Sequence, residues 1–353
     1  MRHATLLLIC LTISTTALAD GKIVPPRNYK GSLEEKAQEA IIIYNQGSGT
    51  TESTQDLILK IRVAGSADQF AWVVPFPNEP KVAREDAKLF QELFQYVDAR
   101  KRYRPKKGKF EQLAKGAADT KPNSDVEVLS RKVVGNYDIA VVREKKAGSL
   151  NKWLTDEGYQ SLENAEDVIG FYRKKGYVFA CMKVTDVALK SGKPVELHPL
   201  RFTFETGGKD GIYFPMKMTG LQSEPFNVNL YVFYRYWLND KLSKYGYVHR
   251  GFRLNYRDWD SSKCTPNGGK AWSAPQTDPF LGSMTKHIPT VAKFFQKRHP
   301  GKRYYLTNIS AFGLNPADVR DWTDDLWMFP YYTNRSFVPY DARPDGPAAD
   351  GWK

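Results

Sequence analysis

Apolar and polar side chains alternate in many short stretches of this chain, a period of two that is typical of β-strands with one buried face. The pattern predicts strands over residues 40–44, 56–63, 70–74, 126–134, 137–142, 177–189, 200–204, 212–218, 228–237 and 304–312. The loop 46–54, rich in Gly, Ser and Thr, predicts a hairpin between the first two, and the glycine-rich turn 207–211 predicts another between 200–204 and 212–218. Residues 228–237 are apolar on both faces, which predicts a central strand covered on both sides.

Helical periodicity is rarer along the chain. The apolar residues from Ala83 to Val97 are spaced by four, three, four and three positions, which predicts an amphipathic helix with Pro80 in its first turn. Shorter helices are predicted over 150–154, 162–172 and 288–298. Strands outnumber helices, and hairpin-length connections recur. We therefore predict an α+β fold with a mainly antiparallel β-sheet or sandwich and peripheral helices.

The first nineteen residues have the three parts of a secretory signal peptide. A basic start over Met1–His3 precedes an apolar stretch over Ala4–Ile13, and Ala17 and Ala19 are small residues that signal peptidase accepts. That stretch has about half of the ~20 residues that span a bilayer, so we predict cleavage and no transmembrane anchor. The remaining chain is expected to be periplasmic or secreted. We predict one domain over 20–339, with a division into two subdomains near 220–240 left open, and a loose tail over 340–353.

Composition narrows the class of protein. The 353 residues are 41% apolar and 26% charged, with a mean hydropathy of −0.53. These values exclude a wholly disordered chain, a collagen and a transmembrane bundle, and favour a folded, water-soluble protein.

Cleavage of the signal peptide would leave two cysteines, Cys181 and Cys264. In an oxidising compartment they could form a disulfide, which would contribute about 4 kcal/mol by closing a long loop. The alternative is two separate thiols, with Cys181 filling a strand interior. No Cys or His spacing is typical of a zinc site, so we predict no metal and no cofactor.

The charge is concentrated in one place. The whole chain has a formal net charge of +13, and segment 100–109, which we call the basic segment, has no acidic residue. Its seven basic side chains are Arg100, Lys101, Arg102, Arg104, Lys106, Lys107 and Lys109. Such a segment attracts anionic polymers, and the alternative is a solvated helix end with a basic loop. Its lone aromatic residue, Tyr103, is too little for base stacking, so the expected partner is an anionic envelope polymer or another envelope protein, with no specific nucleic acid. The oligomeric state is left open.

Several phrases of the sequence, in this order and spacing, resemble the bacterial secreted family known as domain of unknown function 2330. They are Phe70–Pro77, Leu150–Tyr159, Val178–Val184, and His198–Phe202 with Tyr213–Lys217. The resemblance covers roughly residues 20 to 240 and implies an exported bacterial protein. The family has no assigned activity and no catalytic residues to carry over.

Catalytic motifs are mostly missing from the sequence: it has no GxSxG, no HExxH and no phosphate-binding loop. Asp318, Asp321, Asp324 and Asp325 crowd around two tryptophans and could supply the carboxylate pair of a glycoside hydrolase, whereas a short acidic helix with packed aromatic residues is the alternative. Aromatic clusters such as Tyr231/Phe233/Trp237 are expected in the core rather than on a sugar-binding face. The sequence favours an exported, non-catalytic envelope or extracellular binding module. The alternative is a polysaccharide-acting hydrolase that uses Asp/Glu pairs.

Overall fold

The computed structural model describes residues 17–18, 21–31, 33–48, 50–64, 67, 69–98, 126–184, 195–207, 211–235, 238, 247–248, 250–257, 272–273 and 288–328. Among these residues, no helix has the length and apolar character needed to cross a membrane. The predicted tail over 340–353 and all but two residues of the predicted signal peptide lie outside the described residues. The predicted domain limits stay predictions.

The strands are, in chain order, β1 (Ala17–Leu18), β2 (Lys22–Val24), β3 (Glu34–Asn45), β4 (Thr54–Ala64), β5 (Phe70–Phe76), β6 (Lys81–Arg84), β7 (Glu127–Val134), β8 (Tyr137–Arg143), β9 (Val178–Val184), β10 (Val195–Glu196), β11 (Leu200–Glu205), β12 (Ile212–Phe214), β13 (Phe226–Tyr234), β14 (Arg253–Arg257), β15 (Trp272–Ser273), β16 (Arg303–Leu314) and β17 (Leu326–Met328). The helices are α1 (Lys88–Asp98), α2 (Ser149–Asp156), α3 (Glu166–Lys174), α4 (Pro289–Arg298) and α5 (Pro316–Arg320), with a 3₁₀ helix over Lys217–Leu221.

Two main sheets form from these strands. The large sheet has the order β14-β16-β13-β3-β4-β11-β6, with β1, β10 and β15 beside β13, β4 and β16. Its pairs are antiparallel except β13–β3 and β1–β13, which are parallel. The small sheet is antiparallel throughout, in the order β2-β5-β9-β8-β7. This architecture confirms the predicted α+β class with a mainly antiparallel sheet.

The core lies on both faces of the large sheet, because its central strands are apolar on both sides. Ile42 of β3 points into a core shared with the small sheet, where Phe76 stacks on Phe202 with ring centroids 4.8 Å apart. Ile41 and Ile43 point the other way, into a second core covered by α1 and α4. The predicted central strand is confirmed as β13, and its predicted core residues Tyr231 and Phe233 are buried beneath the helices.

The second predicted hairpin is wrong. β11 pairs with β4 and β6, so both of its edges are occupied when the chain reaches β12, which pairs with β17 instead. The side-chain amide of Gln55 on β4 takes the place of a strand partner for β12. Its Nε2 donates to the Tyr213 carbonyl oxygen at 2.7 Å, and its Oε1 accepts from the Tyr213 amide at 2.9 Å. The first predicted hairpin, β3–β4, is confirmed.

The predicted helix over Ala83–Val97 begins later than its apolar spacing suggests. Residues 81–84 form β6 on the edge of the large sheet, paired with β11, and the helix α1 starts at Lys88. The carboxylate of Asp86 accepts from the Lys88 amide at 2.9 Å, and Ser, Asp and Asn in this position favour helix starts because they satisfy a free backbone N–H. Residues 81–84, which the sequence predicts in the first turn of the helix, therefore pair with the free edge of β11 instead.

Candidate functional site

The structure places few of the sequence-predicted site residues. All seven cations of the basic segment lie outside the described residues, which stop at Asp98 and resume at Val126. Cys264 also lies outside them. The predicted anion-binding role and the predicted Cys181–Cys264 disulfide therefore stay predictions.

Cys181 lies in the middle of the small sheet. It is on β9, is only 2% exposed, and pairs with Val73 of β5 and Ala140 of β8. Among the described residues its thiol has no disulfide partner. Burial, and to a smaller extent the charge of Glu157, raise the pKa of this thiol. The thiol therefore stays protonated at neutral pH and is a poor nucleophile.

A small cavity lies beside Cys181, on the face of the small sheet that α2 covers. Its floor consists of small side chains on three neighbouring strands, Ala71, Ala140 and Cys181, and its walls include Trp153 and Tyr159. The floor is recessed because these three short side chains lie on neighbouring strands and point to the same face of the sheet. The cavity measures about 10 Å³, which is room for about one water molecule.

Two carboxylates at the cavity share one guanidinium. Arg131 of β7 binds Asp138 through Nε (3.2 Å) and Nη2 (2.6 Å), and its Nη1 lies 3.2 Å from Glu157 Oε1. The side chains of these residues are 27%, 11% and 4% exposed in that order, so the two carboxylates are mostly covered while the guanidinium stays partly in solvent. The Asp138 hydrogen bond raises the pKa of Arg131. With Lys183 also lining the cavity, two cations balance two anions, and the site has no net charge.

The residue Tyr159 brings a buried hydroxyl group to the cavity. The residue is 2% exposed, and its Oη has no hydrogen-bond partner among the described residues. Burial, followed by the charges of Glu157 and Asp138, raises the pKa of Tyr159, so it stays a neutral phenol. Lys183 Nζ lies 5.8 Å from the ring centroid, a cation–π contact. The cavity thus offers a neutral hydroxyl and a neutral thiol beside fully paired charges.

The segment that follows the predicted cleavage site holds the Tyr159 loop in place. Pro26 forms a bridge with Tyr159, the Arg27 amide donates to the Gly158 carbonyl at 2.9 Å, and the Gln160 amide donates to the Pro25 carbonyl at 2.9 Å. Since β2 pairs with β5 in the same segment, the cavity wall and the edge of the small sheet are fixed together.

Three of the phrases that carry the family resemblance contribute to this cavity. Phe70–Pro77 supplies Ala71, Leu150–Tyr159 supplies Trp153, Glu157 and Tyr159, and Val178–Val184 supplies Cys181 and Lys183. Sequence reasoning missed the site because its floor depends on the pairing of β5, β9 and β8, which are far apart in the chain. The sequence signal that could have pointed to the cavity is that its lining residues come from three of the phrases that carry the family resemblance.

The acidic residues near the two tryptophans are used to hold the fold together. Asp325 is 0% exposed and its carboxylate accepts four hydrogen bonds, from Tyr172 Oη (2.9 Å), Tyr213 Oη (3.0 Å) and the amides of Met216 and Lys217 (both 2.9 Å). Burial raises the pKa of Asp325, and the four hydrogen bonds oppose this rise. Asp324 forms an ion pair with Lys175 at 2.8 Å. A substrate cannot reach the Asp325 carboxylate, which is fully buried and already accepts four hydrogen bonds.

The fourth phrase of the resemblance contributes to a buried ionic cluster on the large sheet. Arg201 bonds Asp56 at 3.2 Å and Glu85 at 2.8 Å, and His299, which follows α4, lies 3.2 Å from the other Asp56 oxygen. Burial raises the pKa of Asp56, but contacts with His299, Thr203 and Arg201 outweigh it, and the net shift is downward. The cluster fastens the end of α4 to the sheet. Among the described residues, no group of three or more His, Cys, Asp and Glu is arranged to hold a metal ion.

No curated protein matches the sequence. Among solved structures, the chain is similar to the crystal structure of baculovirus P35, with 11% identity and a TM-score of 0.40 over 85% of this chain and 98% of that chain. The sequence profile of a family described as an uncharacterized protein conserved in bacteria, DUF2330, matches residues 38–294, which is most of the chain. The protein therefore belongs to the bacterial DUF2330 family.

Proposed function

We propose that the protein is an exported, non-catalytic binding module that recognises an anionic envelope polymer through the basic segment 100–109. The observation that carries this proposal is the segment's charge: seven basic side chains and no acidic one within ten residues. Clustered cations attract polyanions at long range and release bound counterions on contact, so binding is strong at low salt and weak at high salt.

The chemistry of the described sites supports binding over hydrolysis. A glycoside hydrolase needs one carboxyl group that donates a proton to the substrate and a second that acts as a base or nucleophile. At the cavity, Asp138 and Glu157 are both bonded to Arg131, and Asp325 is enclosed by its four donors. These carboxylates neutralise cations or bind the backbone instead of facing a substrate.

Export is part of the proposal and has its own test. The signal-like residues 1–19 support it. We expect the protein in the periplasm or medium, with Asp20 as its first residue by N-terminal sequencing. The uncut chain in the cytoplasm would contradict this part of the proposal.

Retention on immobilised heparin, an anionic polysaccharide, tests the binding. In the test variant, Arg100, Lys101, Arg102, Lys106 and Lys107 are changed to Gln. In a matched control, five lysines on the described surface are changed to Gln, so that both variants lose the same charge; these are Lys30, Lys81, Lys132, Lys146 and Lys174. We expect the test variant to elute at clearly lower salt than the control. Equal elution of the two variants would show that net charge, and not the basic segment, governs retention.

A further inference from the structure

A second basic surface lies on α4, within the described residues. Residues 279–317 contain no Asp or Glu but six Lys and Arg, and α4 lies in the middle of this stretch. The helix buries Val291, Phe294 and Phe295 against the large sheet. Lys293 and Lys297 are therefore left on its exposed side.

The charge on this face is not explained by the stability of the helix. Cations in the last turn interact favourably with the helix dipole, which accounts for Lys297 and Arg298. Lys293 lies one turn earlier, four positions before Lys297, and like charges at this spacing destabilise a helix by a few tenths of a kcal/mol. Within the described part of the chain, neither Lys293 nor Lys297 forms a hydrogen bond or an ion pair.

Two further cations extend the face beyond the helix. Lys302 Nζ donates to Asn45 Oδ1 at 2.8 Å, which holds this exposed ammonium beside the end of the helix. Arg298 is 37% exposed and lies 3.5 Å from Glu85, so it keeps part of its guanidinium in solvent. The ring centroids of Phe295 and Phe233 are 4.7 Å apart, so α4 packs against the large sheet. This packing fixes the position of the helix that carries Lys293, Lys297 and Arg298.

We propose that this exposed face, which we call the α4 face, is a docking surface for an anionic polysaccharide, bound through Lys293, Lys297, Arg298 and Lys302. The proposal rests on the proposed function and adds a second contact surface to it. A membrane-binding helix places apolar side chains beside its cations, whereas Val291, Phe294 and Phe295 of α4 are buried in the core. Single-stranded nucleic acid is bound with exposed aromatic rings, and both aromatic residues of α4 are buried. A linear chain of anionic sugars needs only rigid, spaced cations.

The test compares two double variants of the full mature chain, Lys293→Gln with Lys297→Gln, and Lys146→Gln with Lys174→Gln. Both lose two exposed lysines from helices or helix starts, and equal urea midpoints would confirm that both fold. Heparin affinity is measured between about 50 and 200 mM salt. We expect the α4 variant to bind about tenfold more weakly at low salt, with a slope of log Kd against log salt reduced by about two, and the control to change less than twofold.

The outcomes separate this inference from the proposed function. If the α4 variant behaves as its control while the basic-segment variant loses binding, the α4 face is not a docking surface and the proposed function stands. If the unmodified protein does not bind heparin at any salt, both fail. If it binds vesicles of phosphatidylglycerol, or a single-stranded oligonucleotide, more tightly than heparin and loses that binding in the α4 variant, the partner is a membrane or a nucleic acid and the polysaccharide assignment is wrong.

Discussion

The ion pairs at the cavity predict a measurable cost for removing Arg131. Changing Arg131→Met keeps an unbranched, apolar stem but removes the guanidinium that Asp138 and Glu157 share. Breaking a fully buried ion pair costs about 3–5 kcal/mol, and exposed pairs contribute about 0–1 kcal/mol. Since the Arg131 side chain is 27% exposed and its two partners are 11% and 4% exposed, we expect the free energy of unfolding to fall by about 2 kcal/mol at pH 7.

The same sheet provides a matched control. Arg143→Met breaks the pair between Arg143 and Glu127, which is 3.7 Å long with side chains 39% and 38% exposed. This change should cost less than about 1 kcal/mol because the pair is screened by solvent. Both variants are compared with the unmodified protein by urea denaturation. Unfolding is monitored by tryptophan fluorescence, to which Trp153 in the cavity wall contributes.

The comparison of the two arginine variants decides the question. A loss at Arg131 no larger than the loss at Arg143 would refute the view that the Arg131 guanidinium neutralises two partly buried carboxylates.

Three further changes test the structure. Gly135 has a φ of 60°, and a Cβ there would overlap His198 Nε2, so Gly135→Ala should lower the free energy of unfolding, measured by urea denaturation, by about 2 kcal/mol. The control is Gly148→Ala, where φ is 79° and a Cβ meets open space, and it should lower this free energy by about 1 kcal/mol. Equal losses in the two variants would argue against the clash. Asp325→Asn replaces an oxygen that accepts hydrogen bonds with a donor, so we expect the free energy of unfolding to fall by about 2–4 kcal/mol. The same change at the exposed Asp318 should lower it by less than about 0.5 kcal/mol. Similar values for the two variants would mean that the four hydrogen bonds of Asp325 contribute little to stability. Burial, with the charge of Arg84, lowers the pKa of His198 from 6.5 to about 4, so its contribution to stability is present above about pH 6.5 and is lost as the pH falls to about 4. His198→Gln should therefore remove about 1–2 kcal/mol of the acid-induced loss measured for the unmodified protein, and superimposable pH profiles would count against a neutral buried imidazole.

Much of the local structure could be predicted from the sequence because its causes are local. The apolar run around Ile41–Ile43 and the both-faced strand β13 correspond to central strands of the large sheet. The predicted helix 288–298 is confirmed as α4, with Pro289 at its start. The family resemblance is confirmed as well, and the family match covers residues 38–294.

The errors and omissions arise from contacts between distant segments. The predicted strand 200–204 is confirmed as β11, whereas the predicted strand 212–218 is too long: β12 ends at Phe214 and a 3₁₀ helix begins at Lys217. The pairing of both strands depends on β4, β6 and β17, which no local pattern specifies. The same reason hides the cavity, since Ala71, Ala140 and Cys181 meet only through the order of the small sheet. In the sequence, Asp325 has the pattern of an acidic surface cluster. In the structure, the hydroxyl groups of Tyr172 and Tyr213, which come from distant segments, donate hydrogen bonds to its carboxylate.

One incubation tests the central claim, that this protein recognises an anionic polymer without transforming it. The mature protein is mixed with heparin of defined length, the bound fraction is measured as salt is raised, and the length of the recovered polymer is determined by size-exclusion chromatography. The account predicts tight binding at low salt that weakens steeply as salt increases, with the polymer recovered at its original length. Binding that is absent or insensitive to salt, or a polymer that shortens with time, would contradict it.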